Sequence, residues 1–538
     1  MSGRLLRSTA VFSSMTFLSR VSGLVRDQIY AQVFGASAAM DAFVVAFRIP
    51  NFLRRLSAEG SFSMAFVPVL AEYKASGDHA AVKALVDRVA GALIAALLVM
   101  TAVAVLAAPW LLRVFAPGFD PGGEQAALAT EMLRITFPYA LFISLAAMVG
   151  GVLNSYGRFA IPALSPILLN LSMIAAALAA ARWFGDSVVV LAWGVFVAGI
   201  LQLAFQLPSL ARLGLLPRPR LDLAHAGVRK IMTLMVPTLF GSSVAQFNLL
   251  FNTLAASLLI GGSVTWLYYS DRLLEFPLGM FGVAIGTVIL PHLSGRHAAA
   301  DPEGYSKGLD WGFRLCLLIG VPACLGLVLC AQPLLATLFQ YRSFGEQDVW
   351  MSSLSLMAQS LAVPAFLLVK VLAPAFYSRQ DTRTPVKAAL VSIAVNAACT
   401  VLFFAALLWL SPAGQAALAA TGGAPLAALK QLPGAHALLA LAIAAAGWVN
   451  ALQLAWYLRR ARVYRRQPGW GRFLRQLLVA SVLMAAAVLA LRLLWWDWTP
   501  WEWWQRGWRL ALLVGTGGAV YAGALLALGY RPRELRGH

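Results

Sequence analysis

The sequence predicts an all-α polytopic membrane protein with about fourteen transmembrane helices. Of its 538 residues, 60% are hydrophobic and only 12% are charged, and the mean hydropathy is +0.75. A helix needs about 20 mostly apolar residues to cross a bilayer, and runs of this kind recur along the whole chain. The runs are apolar on every side, whereas the strands of an outer-membrane barrel alternate apolar and polar residues. The same composition excludes a water-soluble enzyme.

Polar turns divide the hydrophobic runs into fourteen predicted spans. In order, they are 8–34, 38–72, 80–108, 125–154, 159–181, 188–210, 231–259, 264–294, 308–333, 348–377, 385–410, 436–458, 473–494 and 508–529. The segment 411–433 is rich in Gly, Pro and Ala, and we expect it to be an external loop with little structure of its own.

The distribution of basic residues orients these spans. With a cytoplasmic N-terminus, the inside segments carry 24 Lys and Arg residues and the outside segments carry 7. The positive-inside rule therefore places both termini in the cytoplasm. We attribute the net charge of +20 to this topology and not to nucleic-acid binding. Seven Trp residues crowd the last external hairpin, between positions 495 and 508, and indicate the outer membrane interface.

Two short sequence matches within the chain, here called internal echoes, indicate a duplication. Tyr156-Gly157-Arg158 recurs as Tyr377-Ser378-Arg379, and Gly35 and Pro50 match Gly262 and Pro277. Six spans separate the members of each pair, so the repeats would share one orientation and form two pseudo-symmetric six-helix lobes. The predicted domains are an N-lobe over 1–211, a cytoplasmic linker over 212–230, a C-lobe over 231–460 and a C-terminal helix pair over 461–538.

Charged residues inside the predicted spans mark the candidate site. A charge at the centre of a span costs about 2.5–3.5 kcal/mol, so it normally faces a partner or a wet cavity. In the first two spans, these residues are Arg20, Arg26, Asp27, Asp41, Arg48, Arg54, Arg55 and Glu59. In the eighth span they are Asp271, Arg272 and Glu275, and the spacing allows Arg272 to pair with Glu275.

The arginines of the first two spans outnumber the acidic residues by five to three. Pairing among themselves therefore cannot neutralise them, whereas an anionic ligand would. Arginine suits this purpose because its planar guanidinium binds phosphate oxygens in a bidentate manner. Two other interpretations stay open: ion pairs of Asp27, Glu59 and Glu275 that only fix helix register, and snorkelling of Arg54 and Arg55 to the cytoplasmic surface.

Motifs for catalysis or metal binding are not found in the sequence. The 4 Cys and 6 His residues form no ligand pattern, and no Walker A loop, HExxH motif or serine elbow occurs. The sequence therefore predicts no metal, no cofactor and no enzyme.

Several long motifs give the sequence a family resemblance. They are Phe34-Gly35-Ala36, Asp41-Ala42-Phe43, Arg48-Ile49-Pro50-Asn51-Phe52-Leu53-Arg54-Arg55, Ala58-Glu59-Gly60-Ser61-Phe62, Tyr268-Tyr269-Ser270-Asp271-Arg272-Leu273-Leu274-Glu275-Phe276-Pro277 and Lys370-Val371-Leu372-Ala373-Pro374-Ala375-Phe376-Tyr377-Ser378-Arg379-Gln380-Asp381. With these motifs the chain resembles the MurJ (MviN) lipid II flippases of bacterial peptidoglycan synthesis.

The resemblance implies the fold of the MOP transporter superfamily, with two six-helix lobes around a central cationic cavity and a groove for a lipid tail on the last two helices. The implied substrate-binding residues are Arg20, Arg26, Asp41, Arg54 and Arg272. The supporting cavity residues predicted beside them are Asp27, Arg48, Arg55, Glu59, Thr265, Asp271 and Glu275.

The resemblance also implies an activity and a location. The protein would move the headgroup of lipid II from the cytoplasmic to the periplasmic leaflet of the bacterial inner membrane by alternating access, driven by the membrane potential. Membrane lipids and the peptidoglycan synthesis machinery are the further expected partners. The alternatives are another lipid-oligosaccharide or drug exporter of the superfamily, or a membrane-embedded polymerase that uses the same lipid.

Overall fold

The computed structural model describes residues 3–55 and 62–530, and within these ranges every regular element is a helix. The helices are α1 (Gly3–Phe34), α2 (Ala38–Arg54), α3 (Ser63–Ala75), α4 (His79–Leu106), α5 (Ala108–Phe115), α6 (Glu124–Thr136), α7 (Tyr139–Ser155), α8 (Ala160–Trp183), α9 (Val189–Ala211), α10 (Ala226–Ser257), α11 (Ser263–Pro277), α12 (Val283–Ala298), α13 (Pro302–Phe339), α14 (Glu346–Ser360), α15 (Val363–Tyr377), α16 (Arg383–Leu410), α17 (Pro412–Ala420), α18 (Pro425–Leu429), α19 (Ala435–Arg460), α20 (Trp470–Leu494) and α21 (Trp503–Ala527). A π-helical segment, Leu278–Gly282, joins α11 to α12.

Within the described ranges, helices cover most of each predicted span, although the span 38–72 also includes residues outside these ranges. In the described ranges, nine helical segments are long and apolar enough to cross a membrane, and the count reaches ten if α14 and α15, bent by 41°, form one span. The other predicted spans lie on helices that are shorter or more polar, such as the 17-residue α2. The all-helical membrane fold is therefore confirmed, whereas the number of fourteen crossings stays a prediction.

The segment after α16 differs from its prediction. Instead of a loop with little structure, it contains the short helices α17 and α18. Ser411 caps α17, because its Oγ accepts a hydrogen bond of 3.0 Å from the amide of Gly414. Pro412 occupies the first turn, where its missing N–H costs nothing, and alanine follows with its high helix propensity. The expectation that 411–433 has little structure of its own is therefore wrong, whereas its external position stays a prediction.

Contacts divide the chain into two units, Met1–Thr265 and Trp266–His538. In the first unit, α1 packs against α8, α8 and α7 pack against α9, and α2 packs against α6. The helix α10 contacts α2, α3 and α4, although its sequence was assigned to the predicted C-lobe. The predicted lobes rest on internal echoes and not on contacts, so their boundaries stay a prediction.

In the second unit, α13 packs against α14, α15, α20 and α21. Two arginines of the C-terminal pair donate hydrogen bonds to carbonyl groups of α13: Arg492 Nη1 to Leu329 at 2.8 Å, and Arg506 Nη1 to Ala336 at 3.0 Å. These bonds hold α20 and α21 on α13.

The tryptophans of the hairpin between α20 and α21 differ in exposure. Trp496 is 75% exposed, as an interfacial residue would be, whereas Trp498 is 1% exposed. The ring of Trp498 packs edge-on against Trp501, with 5.2 Å between the centroids. One tryptophan of the hairpin is therefore a core residue of this unit.

One of the internal echoes marks a common turn. Gly35, before α2, has φ of 61°, and its match Gly262, before α11, has φ of 95°. These values lie in the left-handed region, which favours glycine because it has no Cβ. The glycines therefore recur for the same local reason.

Candidate functional site

Arg26 on α1 lies in a closed polar cluster. Its Nε and Nη2 both donate to Asp27 Oδ1, at 2.9 and 2.7 Å, and its Nη1 donates to Asn170 Oδ1 on α8 at 2.9 Å. Arg26 is 5% exposed and Asp27 is 1% exposed. The neighbouring carboxylate therefore compensates the charge of this guanidinium inside the first unit.

Asn170 is the residue of this cluster that the sequence reading missed. Besides accepting from Arg26, its Nδ2 donates to the carbonyl of Ser19 at 3.0 Å and to Ser22 Oγ at 2.8 Å. One buried amide thus ties α8 to α1 and orients the guanidinium. The available signal was a single asparagine in a long apolar helix, where polar side chains commonly make interhelical hydrogen bonds.

Arg20 lies in a different environment on the same helix. It is exposed, and no other described residue forms a hydrogen bond or an ion pair with it. The first unit thus presents one arginine of α1 to solvent and buries another.

Asp41 on α2 accepts hydrogen bonds from the first turn of α11. Its Oδ2 accepts from the amide of Gly262 at 2.6 Å, and its Oδ1 accepts from the amide and the Oγ1 of Thr265 at 2.8 and 2.6 Å. Asp41 is 2% exposed. A carboxylate here satisfies amide donors that a helix start leaves without intrahelical partners, and it lies at the positive end of the helix dipole. The structure thus joins two predicted site residues, Asp41 and Thr265, in one helix cap.

Two other arginines predicted on α2 each donate a hydrogen bond to a neutral side chain. Arg48 Nη1 donates to Thr253 Oγ1 of α10 at 2.9 Å, and Arg54 Nε donates to Asn51 Oδ1 at 2.8 Å. Arg55 is exposed. Glu59, the last charged residue of the predicted second span, lies outside the described residues.

In the second unit, the predicted pair of Arg272 and Glu275 is confirmed. Arg272 Nη1 lies 3.2 Å from Glu275 Oε2, and the two side chains are 32% and 61% exposed. Nη2 also donates to the hydroxyl of Tyr268 at 3.2 Å, and the guanidinium lies 4.9 Å from the centre of that ring. The tyrosine therefore orients Arg272 from a second side.

Asp271, the neighbour of Arg272, has a separate partner. Its Oδ1 accepts a hydrogen bond of 2.8 Å from Gln359 Nε2 on α14. Taken by itself, each unit has an arginine that is at least partly exposed, Arg20 in the first and Arg272 in the second. Guanidinium groups of this kind can bind the oxygens of a phosphate. Tyr268 lies four residues before Arg272 on the same helix, within reach of its side chain. The sequence does not predict Gln359 as a partner, because bonds between distant helices leave no spacing pattern.

Comparisons with known proteins give matches over most of the chain. A family model described as "Lipid II flippase MurJ" matches residues 30–505. A Vibrio cholerae protein named "Probable lipid II flippase MurJ" is 42% identical over 99% of this chain and 98% of its own length. A Burkholderia cenocepacia protein named "Lipid II flippase MurJ" is also 42% identical, over 89% of each chain.

Solved structures agree in fold. A structure titled "Lipid II flippase MurJ, inward closed conformation" gives a TM-score of 0.76 at 23% identity and covers 96% of this chain and 98% of that chain. An inward-facing multidrug resistance MATE family transporter of the MOP superfamily gives 0.64 at 15% identity, over 84% of this chain and 98% of its own. These structures support the fold alone, whereas the sequence relatives support the family. The chain belongs to the MurJ lipid II flippase family.

Proposed function

We propose that this protein is a lipid II flippase of the bacterial inner membrane. In this proposal, the anionic headgroup enters from the cytoplasmic leaflet, the protein changes conformation, and the headgroup leaves on the periplasmic side while the lipid tail stays in the bilayer. The carrying observation is the 42% identity to a named family member across 99% of the chain. Both termini would be cytoplasmic, as the excess of basic residues on one side favours.

The proposed binding groups are the arginines of α1, α2 and α11. Arg20 is exposed, and among the described residues none must be displaced before it meets a phosphate oxygen. In the pair of Arg272 and Glu275, the arginine is partly exposed and the glutamate is exposed, and exposed pairs are worth about 0–1 kcal/mol. A phosphate, which binds a guanidinium more strongly than a neutral acceptor does, can replace Glu275 at little cost.

Arg26 cannot bind a substrate in the same way as the exposed Arg20. It is buried and bound to Asp27 and Asn170, so direct contact with a substrate requires it to exchange these bonds. Asp41 would act by holding α2 to the start of α11, on which Arg272 lies. Arg26 and Asp41 are therefore proposed parts of the substrate site, Arg26 after an exchange of partners and Asp41 through its hydrogen bonds to the start of α11.

The membrane potential is the proposed driving force. With the cell interior negative, each negative charge moved outward gains about 2.3 kcal/mol per 100 mV. The inward return of an empty, arginine-rich site is favoured by the same field. The cycle would then need no nucleotide and no catalytic residue, and the peptidoglycan synthesis machinery would use the delivered lipid.

Substitution of Arg20 and Arg272 tests the proposal. In cells whose only lipid II flippase is this chain, Arg20→Ala and Arg272→Ala should each lower the rate at which lipid II reaches the outer leaflet by about tenfold or more, since a charge-assisted phosphate contact is worth roughly 1.5–3 kcal/mol. Arg20→Lys and Arg272→Lys should lose less, because a lysine keeps the charge without the bidentate geometry.

Arg182→Ala is the matched control, because Arg182 is an exposed arginine at the end of α8 with no predicted role in binding. It should keep the full rate. If both alanine variants at Arg20 and Arg272 also keep the full rate at equal amounts in the membrane, the arginines do not bind the substrate.

A further inference from the structure

A cavity of about 520 Å³ lies in the first unit, away from the arginines discussed above. Its walls come from α5, the turn after it, one side of α6 along nearly its whole length, and the start of α9. Leu112, Ile135 and Trp193 contribute apolar surface, and Arg113, Glu131 and Arg134 contribute charge. A volume of this size suits a small molecule or a lipid headgroup.

The cavity lies at the end of the unit that the predicted topology places outside. The predicted third span, 80–108, covers α4 and ends at the start of α5, and the predicted fourth and sixth spans begin at α6 and α9. Two tryptophans beside the cavity support an interfacial position, because Trp110 is 69% exposed and Trp193 is 52% exposed. Tryptophan rings favour the headgroup layer of a bilayer.

The charges around the cavity do not neutralise one another. Glu131 and Arg134 are three residues apart on α6, yet in the described part of the chain neither they nor Arg113 form an ion pair or a hydrogen bond through their side chains. The guanidinium of Arg113 instead lies 5.5 Å from the centre of the Trp110 ring, a cation–π contact. Two cations and one carboxylate are thus available at one apolar-walled cavity.

The turn between α5 and α6 keeps the cavity in shape. The amide of Gly118 donates a hydrogen bond of 3.2 Å to Ser257 Oγ at the end of α10. A Cβ at Gly118 would lie only 1.9 Å from the carbonyl oxygen of Ser257, so only glycine fits. Phe119, which lines the cavity, is 5% exposed and is held by this contact.

We propose that this cavity binds a phospholipid of the outer leaflet whose headgroup carries both a phosphate and a primary ammonium, as in phosphatidylethanolamine. The guanidinium groups of Arg113 and Arg134 would bind the phosphate oxygens, which they can contact in a bidentate manner. Glu131 would accept hydrogen bonds from the ammonium group. The apolar wall at Leu112 and Trp193 would contact the start of the acyl chains. This binding does not depend on the transported substrate.

Lipid titration of the purified full-length protein tests this assignment. Delipidated protein is titrated in detergent with phosphatidylethanolamine, phosphatidylglycerol and phosphatidylcholine of identical acyl chains, and bound lipid is counted by native mass spectrometry. Phosphatidylethanolamine should bind most tightly, because phosphatidylglycerol lacks the cation and phosphatidylcholine has no N–H to donate. A photoreactive phosphatidylethanolamine should label peptides within 109–135.

Variants separate the two halves of the headgroup site. Glu131→Gln should remove the preference for phosphatidylethanolamine over phosphatidylglycerol, a change of about fivefold. The double variant Arg113→Ala and Arg134→Ala should weaken both lipids and abolish the labelling of 109–135, whereas Arg182→Ala should change nothing. Equal binding of the three lipids by the wild-type protein, or an unchanged preference in Glu131→Gln, would overturn the assignment.

Discussion

Asp41 and Thr265 form a polar contact between two helices that both carry predicted site residues. The carboxylate accepts three hydrogen bonds from Gly262 and Thr265, so neither oxygen is left without a donor. A buried carboxylate is costly when it loses donors, and its bonds are stronger than those of a neutral acceptor. Within the first unit, this cap therefore holds the start of α11, at Gly262 and Thr265, against α2.

Removal of the Thr265 hydroxyl tests how much its hydrogen bond to Asp41 stabilises the protein. Thr265→Val keeps the shape of the side chain but removes one donor to the buried carboxylate, so the free energy of unfolding should fall by about 1.5–3 kcal/mol. Thr265→Ser keeps the donor and serves as the control, with unfolding close to that of the wild-type protein. The measurement is unfolding of the purified proteins in detergent with increasing denaturant. Equal stability of the valine and serine variants would show that the cap contributes little.

The sequence predicted which residues carry charge inside the membrane but not how they pair. Arg272 and Glu275 were predicted correctly because both lie on one helix, three residues apart. Asn170 and Gln359 were missed because their partners lie on other helices and no spacing rule connects them. Asp41 was predicted as a substrate ligand, and its role at the start of α11 was invisible without the fold.

At the scale of elements, the segment 212–225 is attached to the side of α4. The side chain of Asp87 accepts from the amide of Arg218 at 2.7 Å, and its carbonyl accepts from the amide of Arg220 at 3.1 Å. Arg88 donates to Asp222 at 2.9 Å. That bond lowers the pKa of the Asp222 carboxyl below its usual value of 3.8. Because the pKa of Asp222 is lowered in the folded protein, the ion pair contributes its full stabilisation above about pH 3.8. This stabilisation is lost only as the pH falls through the lower pKa of the folded protein.

Removal of the ion pair should loosen this segment. Asp222→Asn is expected to increase the initial rate of trypsin cleavage after Arg220 by about twofold to fivefold, since an exposed pair is worth no more than about 1 kcal/mol. The measurement uses inside-out membrane vesicles, in which the predicted cytoplasmic face meets the protease. Glu303→Gln, which removes an exposed pair with Lys307 in the second unit, is the control and should leave this cleavage unchanged. Equal cleavage of Asp222→Asn and the wild-type protein would contradict the proposed attachment.

The helices themselves were predictable because long apolar runs have few other structures available in a bilayer. The two helices after α16 were not predicted, because glycine and proline in 411–433 were weighted above the alanines between them. The π-helical segment Leu278–Gly282 also gives no periodic signal in the sequence. It follows Pro277, whose missing N–H interrupts the ladder of α11 and favours a local change of helix type.

At the scale of the whole molecule, composition predicts the membrane class and sequence motifs predict the family, whereas neither predicts how the chain divides into contact units. A mean hydropathy of +0.75 and a charged fraction of 12% predicted the membrane class, and family membership was confirmed across 99% of the chain. The proposed lobes follow from internal echoes, whereas the two contact units meet at Thr265 and Trp266 inside α11. The contact units are defined by which residues lie close together in this structure, whereas the predicted lobes are defined by sequence matches. The boundaries of the units and of the lobes therefore need not coincide.

The most direct test of the central claim is the leaflet in which lipid II accumulates when this protein is depleted from cells that have no other flippase. A membrane-impermeant enzyme that cleaves lipid II from the periplasmic side reports the exposed fraction. The account predicts that lipid II accumulates and is protected from the enzyme. Accumulation of cleavable lipid II would instead indicate a block after transport, as for a polymerase, and would contradict the account.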